Sequence, residues 1–398
     1  MRVLWITNIL FPDICAKLNR KSPVTGGWMY SSAEQLLFLD KSLELAVAAP
    51  YNGTKILIQK INHITYYCLP FPENQIKYNT GDEKVWKIVH DSYRPNIIHI
   101  HGTEFVYGLA YMNACGIKNV VVSIQGLVNV YARYSLGQIS EDEIRKNRTI
   151  YDFLKGGDVL NLPKKMIRQG KLEIEYIQKI HHVIGRTDWD RDHVWAINPK
   201  VRYHFCNETL RTKFYMHKWI YERCIPHTIF LSQAYKPIKG IHKIIDAMPY
   251  VLREFPDTKV YVAGINFIER TSLKNRLRFD AYANYIYKKI RNLGLIDYFV
   301  FTGLLSEQDM IDQYLSSNLF VCPSSIENSP NSLGEAQLLG VPTIAAYVGG
   351  IPDMIKDGVS GFMYRFEEHE MLAKKICRIF NDSQLATSCS CKDKSLAN

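Results

Sequence analysis

The chain has 398 residues, of which 47% are hydrophobic and 22% charged, and carries a formal net charge of +10. That length exceeds one ordinary core and fits two domains of roughly 150–200 residues, while no apolar run approaches the ~18–20 residues of a membrane span. The basic excess is spread over both halves, 26 Lys/Arg against 20 Asp/Glu (+6) in residues 1–210 and 23 against 19 (+4) in the remainder, so no nucleic-acid-binding arm is expected.

A dispersed charge of this kind fits a mild attraction to anionic lipid or to phosphorylated substrates. The N-terminal stretch MRVLWITNIL is too short and too strand-like for a signal peptide. The nine cysteines are odd in number and follow no framework, and the Cys389/Cys391 pair lacks a second Cys/His pair to complete a zinc site. Reduced thiols in a cytoplasmic protein are therefore expected.

Strand and helix signals alternate through both halves, which argues for α/β domains with parallel sheets covered by helices. In the first half RVLWIT is a buried-strand run, followed by a loop ending in Gly26-Gly27 and a helix from about Trp28. ELAVAAP is the next strand, and TKILIQK with HITYYCL reads as an edge hairpin. PNIIHIHG, NVVVSIQG, HHVIGRT and VRYHFC follow as further strands. Between Asn129 and Ile180 lie two amphipathic helices, SEDEIRKNRTIYDFL and PKKMIRQGKLEIEYIQKI, the first with Ser140 as N-cap. Residues 211–225 read as a charged, aromatic linker. The alternation then restarts with HTIFLS and runs through LFVCPS and PTIAA. The expected division is 1–210, linker 211–225, 226–381, and a polar tail at 382–398 with no crossover helix, mobile beyond about Asp382 and shortened at its end.

The chemically richest stretch is residues 324–364, SSIENSPNSLGEAQLLGVPTIAAYVGGIPDMIKDGVSGFMY. Ser329 is a natural N-cap and Pro330 a favoured first helical residue. Glu327 then lies in the loop before a helix and Glu335 inside it, beside backbone N–H groups that attract a diphosphate. Carboxylates accept hydrogen bonds from sugar hydroxyls, so one site offers both contacts that a nucleotide sugar needs.

Here the sequence resembles glycosyltransferase family 4, retaining enzymes of the GT-B fold. The shared signature is Glu327, Glu335-Ala336, Gly340-Val341-Pro342, Gly349-Gly350 and DGVSGF. The resemblance implies two Rossmann-like doubly wound domains facing each other across a cleft, acceptor-binding in the first and nucleotide-sugar-binding in the second. It implies sugar transfer from a nucleoside diphosphate to a hydroxyl with retention, no cofactor and no metal. It also assigns roles. Gly26 and Gly27 let backbone approach the donor phosphates, Lys239 binds the diphosphate, and His101 at the end of IHIHG approaches the donor sugar and acceptor. Glu327 holds donor-sugar hydroxyls and Glu335 the ribose. Leu305, in the strand-end loop FTGLL, lies near the base. Asn328, Ser329, Asn331, Ser332 and Leu333 complete the donor loop, and Gln125 and Gly126 line the acceptor side. One departure stands out: the family's usual Arg position holds Gln233, which brings no charge, although Lys236 could relocate to serve.

The triplet Asp188, Asp190 and Asp192 mimics a metal-binding D-x-D, but it opens a helix after HVIGR and reads as acidic first-turn residues. The expected partners are a nucleotide-sugar donor and a glycan or lipid-linked acceptor, with peripheral contact to anionic membrane and a role in surface polysaccharide or glycolipid synthesis. A silent nucleotide-sugar-binding subunit and a sugar-nucleotide epimerase remain as alternatives. A dinucleotide dehydrogenase is disfavoured, because no G-x-G-x-x-G follows the first strand.

Overall fold

The computed structural model describes residues 1–22, 26–155, 159–270 and 279–391. The chain folds as two compact units, Met1–Val130 with Ile167–Thr212, and Tyr131–Met166 with Lys213–Asn398.

The first unit holds an eight-stranded sheet. Its strands are β1 (Arg2–Ile6), β2 (Glu44–Pro50), β3 (Leu57–Ile61), β4 (Ile64–Leu69), β5 (Ile97–His101), β6 (Val120–Ser123), β7 (His182–Gly185) and β8 (Arg202–Phe205), in the order β3-β4-β2-β1-β5-β6-β7-β8. All neighbours are parallel except the β3–β4 hairpin, which lies at the edge as its turn signals require. The interior strands are apolar runs because helices cover both faces. One core packs under Leu4, Ala46, Ile98 and Val122, the other under Val3, Trp5, Leu45 and Val47. Alternate residues of β1 and β2 thus feed opposite faces.

The second unit holds six parallel strands: β9 (Ile225–Leu231), β10 (Lys259–Val262), β11 (Phe299–Phe301), β12 (Ser317–Cys322), β13 (Thr343–Ala346) and β14 (Phe362–Tyr364), in the order β11-β10-β9-β12-β13-β14. Leaving aside the β3–β4 edge hairpin, the parallel strands of each sheet reverse their order at one place, between β1 and β5 in the first and between β9 and β12 in the second. Parallel α/β sheets open a ligand crevice at the carboxyl ends of the strands flanking such a reversal.

This grouping departs from the contiguous division expected at residue 210. Residues 131–166 side with the second unit, where Ile139, Ile144 and Leu160 are buried in its core. Polar contacts hold them there. The Asn284 amide donates to Asn147 O (2.8 Å), and Asp152 Oδ1 accepts from Ala281 N (3.2 Å) at the start of helix Ala281–Asn292. His242 Nε2 sits 2.8 Å from Gly137 O. The stretch 211–225 is not a free linker either. Phe214 and Trp219 are buried in the same core, and the Trp219 indole donates to Ser317 O at 2.9 Å.

The expected tail also changes. Ser383–Cys391 is a helix, with Ala386 fully buried in the second core and contacts to residues 221–223, rather than a polar chain end. Residues 392–398 lie outside the described residues. No helix among the described residues is long and apolar enough to cross a membrane.

Candidate functional site

In the second unit, the turn after β9 and the loop after β12 meet at the strand-order reversal. Chain 323–330 is fixed from three sides. Ser325 N donates to Ile238 O (2.9 Å), tying it to the Pro237–Lys239 turn. Gly350 N donates to Glu327 O (3.0 Å), tying it to the Gly349-Gly350 turn. Asn328 N donates to the Tyr131 hydroxyl (2.8 Å), and Ser325 Oγ donates to Tyr134 O (2.9 Å). Two glycines permit this packing. A Cβ on Gly240 (φ +72°) would lie 1.7 Å from Pro323 O, and one on Gly349 (φ +52°) 1.9 Å from Glu327 O.

Lys239 Nζ approaches Glu327 Oε1 at 2.6 Å, and the Ser324 hydroxyl donates to the same oxygen at 2.7 Å. The Lys239 side chain is 26% exposed and that of Glu327 10% exposed. Burial alone would lower the Lys239 pKa, but the facing Glu327 carboxylate outweighs it and holds the ammonium above its ordinary value. The cation is therefore permanent, and its remaining donors are available to an anion. Burial also pushes the Cys322 thiol up to about 12, with Glu327 adding to the shift, so this cysteine is inert.

Helix Asn331–Leu339 starts directly after the loop, without a side-chain cap. Pro330 occupies the N-cap, one residue after the expected Ser329, so Asn331 is the first helical residue. Glu335 lies one turn in and is buried, as are Asn328, Ser329 and Leu333, while Asn331 and Ser332 are half-buried. Leu305 is half-buried against the same core in the loop after β11. Gln233 is exposed in the loop after β9. The structure thus gathers Lys239, Glu327 and the start of the 331–339 helix at one crevice. Tyr131 and Ser324, which support it, were not singled out by sequence. Ser324 sits three residues before Glu327, whereas nothing local in the sequence marks Tyr131.

The first unit has its own constellation at the β1/β5 reversal. His101 ends β5, buried, with no hydrogen-bond partner on either ring nitrogen. Its ring packs against those of His99 (3.9 Å between centroids), Trp5 (4.6 Å) and Trp28 (5.8 Å). Burial, reinforced by His99, lowers its pKa far below the usual imidazole value, so the ring is neutral. His99 is itself pushed down to about 4 by burial, and its Nε2 lies 2.5 Å from Ser123 Oγ. A pocket opens beside His101, lined also by Thr7, Asn8, Gly102 and Glu104. Gly26 (φ +83°) caps helix Gly27–Leu39 in a conformation that favours glycine, and its missing Cβ makes room for Ile9. Gln125 and Gly126 follow β6, half-buried and buried respectively.

The Asp188/Asp190/Asp192 cluster lies where expected, at the start of helix Asp188–Ile197, with Thr187 as N-cap. Asp190 accepts from the Tyr203 hydroxyl (2.6 Å) and Arg186 N (3.0 Å), and Arg191 pairs with Asp188 (2.6 Å) and Asp192 (3.0 Å). These carboxylates serve the fold. Among the described residues, no three His, Cys, Asp or Glu side chains converge on a metal-sized site.

Residues 226–395 match the family model described as Glycosyl transferases group 1. Over 147 residues the chain is 29% identical to the capsular polysaccharide biosynthesis glycosyltransferase CapM of Staphylococcus aureus, covering 37% of this chain and 35% of that protein. The chain spans about two fifths or less of the length of the curated relatives it matches. Among solved structures, sucrose-phosphate synthase from Thermosynechococcus elongatus superposes with a TM-score of 0.69 at 14% identity, covering 100% of this chain and 94% of that one. Anabaena HepE, solved in complex with UDP and glucose, superposes at 0.63 with 16% identity and the same coverage. The fold is therefore GT-B, and the second unit contains the stretch that is similar to the group 1 glycosyltransferases.

Proposed function

We propose that the chain is a retaining, metal-independent glycosyltransferase that moves a sugar from a nucleoside diphosphate to a hydroxyl acceptor. The observation that carries the reading is the Lys239–Glu327 pair, fixed at the β9/β12 reversal beside an uncapped helix start, within the stretch that matches the family model. HepE, of the same fold, binds UDP and glucose, which supports a uridine donor. CapM's part in capsule synthesis supports a surface polysaccharide or glycolipid product, and the dispersed +10 charge fits its manufacture at the cytoplasmic face with peripheral contact to anionic membrane.

In this reading the second unit binds the donor and the first the acceptor. The bond between the anomeric carbon and the diphosphate breaks, and the acceptor oxygen bonds to that carbon on the same face. The acceptor proton passes to a departing phosphate oxygen. Lys239 and the N-terminus of helix Asn331–Leu339 stabilise the charge that develops on the diphosphate. Glu327 holds donor-sugar hydroxyls, Glu335 the ribose, and the Leu305 loop borders the base. Asn328, Ser329, Asn331, Ser332 and Leu333 form the donor loop. Gly26 and Gly27 admit the phosphates, and Gln125 and Gly126 border the acceptor. His101, neutral and unpartnered, receives the reacting hydroxyl.

A second reading, a nucleotide-sugar-binding subunit with little turnover, is favoured by Gln233, which leaves one expected cation missing. Incubation with UDP-glucose, GDP-mannose or ADP-glucose and an extract of surface glycans separates the two. Transfer of labelled sugar that is lost in Lys239→Met supports the enzyme. Donor binding without transfer, with transfer gained in Gln233→Arg, supports the subunit.

A further inference from the structure

One peptide group in the crevice is pinned at both ends. The Glu327 carbonyl accepts from Gly350 N at 3.0 Å, and the N–H of the same peptide, that of Asn328, donates to the Tyr131 hydroxyl at 2.8 Å. Because a peptide group is planar, fixing both its donor and its acceptor fixes its orientation. Asn328 is buried, so bulk water cannot take the place of the tyrosine hydroxyl unless the loop opens.

This plane leads directly from the Glu327 side chain. Lys239 Nζ (2.6 Å) and the Ser324 hydroxyl (2.7 Å) both bond Glu327 Oε1. Among the described residues none bonds Oε2, which is left to a ligand hydroxyl. The backbone bond to Tyr131 and the two bonds to Oε1 together aim that second oxygen.

Tyr131 is itself held by the segment that it opens. Ser325 Oγ donates to Tyr134 O at 2.9 Å, and His242 Nε2 lies 2.8 Å from Gly137 O. Burial pushes His242 down to about 3, so its ring is neutral and donates its one N–H to that carbonyl. Gly137 (φ +58°) lies so close to the Pro237–Lys239 turn that a Cβ would fall 2.4 Å from Pro237 O. Residues 131–137 are thus anchored beside the turn that carries Lys239 and bonded to the loop that carries Glu327. Glu335 lies beyond the pinned peptide, inside helix Asn331–Leu339.

We propose that Tyr131 is a positioning residue for the donor sugar: its hydroxyl sets the Glu327–Asn328 peptide plane and, through it, the free oxygen of Glu327. The proposal rests on the glycosyltransferase reading and adds a residue that acts on the sugar alone, not on the nucleotide. Ribose and diphosphate are assigned to Glu335 and Lys239, which stand on other elements, so loss of the tyrosine hydroxyl falls on the sugar contact.

The test is isothermal titration calorimetry of the full chain with UDP, GDP and ADP and with UDP-glucose, GDP-mannose and ADP-glucose. The readout is the Kd of a sugar nucleotide divided by the Kd of its parent diphosphate, for the pair that binds. Tyr131→Phe removes one oxygen and keeps the ring, and circular dichroism confirms its fold. It should raise that ratio roughly tenfold while the diphosphate Kd changes by about twofold or less, because the lost bond orients the sugar contact. In a Glu327→Gln background the same change should move the ratio by about twofold or less, since the carboxylate that it positions is gone. Three results overturn the proposal: a ratio unchanged in Tyr131→Phe, equal weakening of sugar nucleotide and diphosphate, or an undiminished effect in the Glu327→Gln background. A wild-type chain that binds none of the six nucleotides overturns the glycosyltransferase reading itself.

Discussion

Lys239 and Glu327 lie 88 positions apart in the chain and meet at 2.6 Å, each on the loop that leaves one strand of the β9/β12 reversal. The pair holds the ammonium at the crevice before any ligand arrives. Removing either partner strands the other in a half-buried place, so Lys239→Met and Glu327→Gln should each destabilise by roughly 1–3 kcal/mol. The double variant should cost less than the sum, with a coupling of about 0.5–3 kcal/mol in a denaturation cycle.

The two glutamates should separate kinetically. Glu335 is assigned to ribose hydroxyls, which change little in the transition state, so Glu335→Gln should raise the donor KM and nearly keep kcat. Glu327 is assigned to the sugar that gains positive charge and also pairs with Lys239, so Glu327→Gln should lower kcat more than it raises KM. Each effect should be about 10- to 150-fold, as for a hydrogen bond to a charged group. Steady-state kinetics at varied donor checks this, and reversed roles would mean that the donor lies the other way along the loop.

The loop geometry depends on absent side chains. Gly240→Ala and Gly349→Ala each place a Cβ against a carbonyl oxygen at 1.7 or 1.9 Å, in a left-handed conformation. Conformation alone costs roughly 1–3 kcal/mol. Gly358 has a φ of +75° with nothing within 4 Å of a built Cβ, so Gly358→Ala isolates that cost. Thermal denaturation should rank Gly240→Ala and Gly349→Ala well below Gly358→Ala, with donor binding lost only in those two.

Stability should depend on pH in two opposed ways. Glu104 and Glu173 have folded pKa values pushed up to about 7 from 4.5, chiefly by burial, so the stability that they allow at low pH is lost as pH rises between about 4.5 and 7. His99, pushed down to about 4 from 6.5, works the other way: its contribution is present above pH 6.5 and lost as pH falls toward 4. The wild-type profile mixes the two, so the difference between variants is the cleaner measure. The melting temperature of Glu104→Gln relative to wild type should rise from pH 5 to pH 8. A constant difference would place the Glu104 carboxyl at its ordinary value.

Transfer should survive EDTA. The fixed charge at the crevice is the Lys239 ammonium, and the Asp188/Asp190/Asp192 cluster is engaged within its own helix start. Activity lost in EDTA and restored only by Mn²⁺ or Mg²⁺ would overturn the proposed chemistry.

Much of this was legible in sequence. Apolar runs of strand length marked the sheet strands, and the spacing of Glu327, Glu335 and Gly349-Gly350 marked the loop and turn that the structure ties together. Allegiance was not legible. The helices of residues 131–166 are amphipathic, and an apolar face does not say which sheet it will cover. Ile139, Ile144 and Leu160 join the second core although nearly the whole first sheet precedes them in the chain. Residues 211–225 looked like a linker because they are charged, but Trp219 and Phe214 are buried between the charges. The tail composition is polar, yet one small residue, Ala386, packs into the core and a helix forms around it. Tyr131 was invisible because its role is set by a backbone N–H nearly 200 residues away.

The most direct measurement is thermal denaturation of wild type and Lys239→Met across a concentration series of UDP-, GDP- and ADP-glucose. A ligand that binds only the folded chain stabilises it by about 2.7 kcal/mol at a hundredfold excess over Kd, roughly 5–10 °C for units of this size. At least one donor should raise the wild-type midpoint in proportion to the logarithm of its concentration, and Lys239→Met should lose most of that rise. A wild-type midpoint unmoved by all three, or an equal rise in Lys239→Met, would contradict a nucleotide-sugar site built on Lys239 and Glu327.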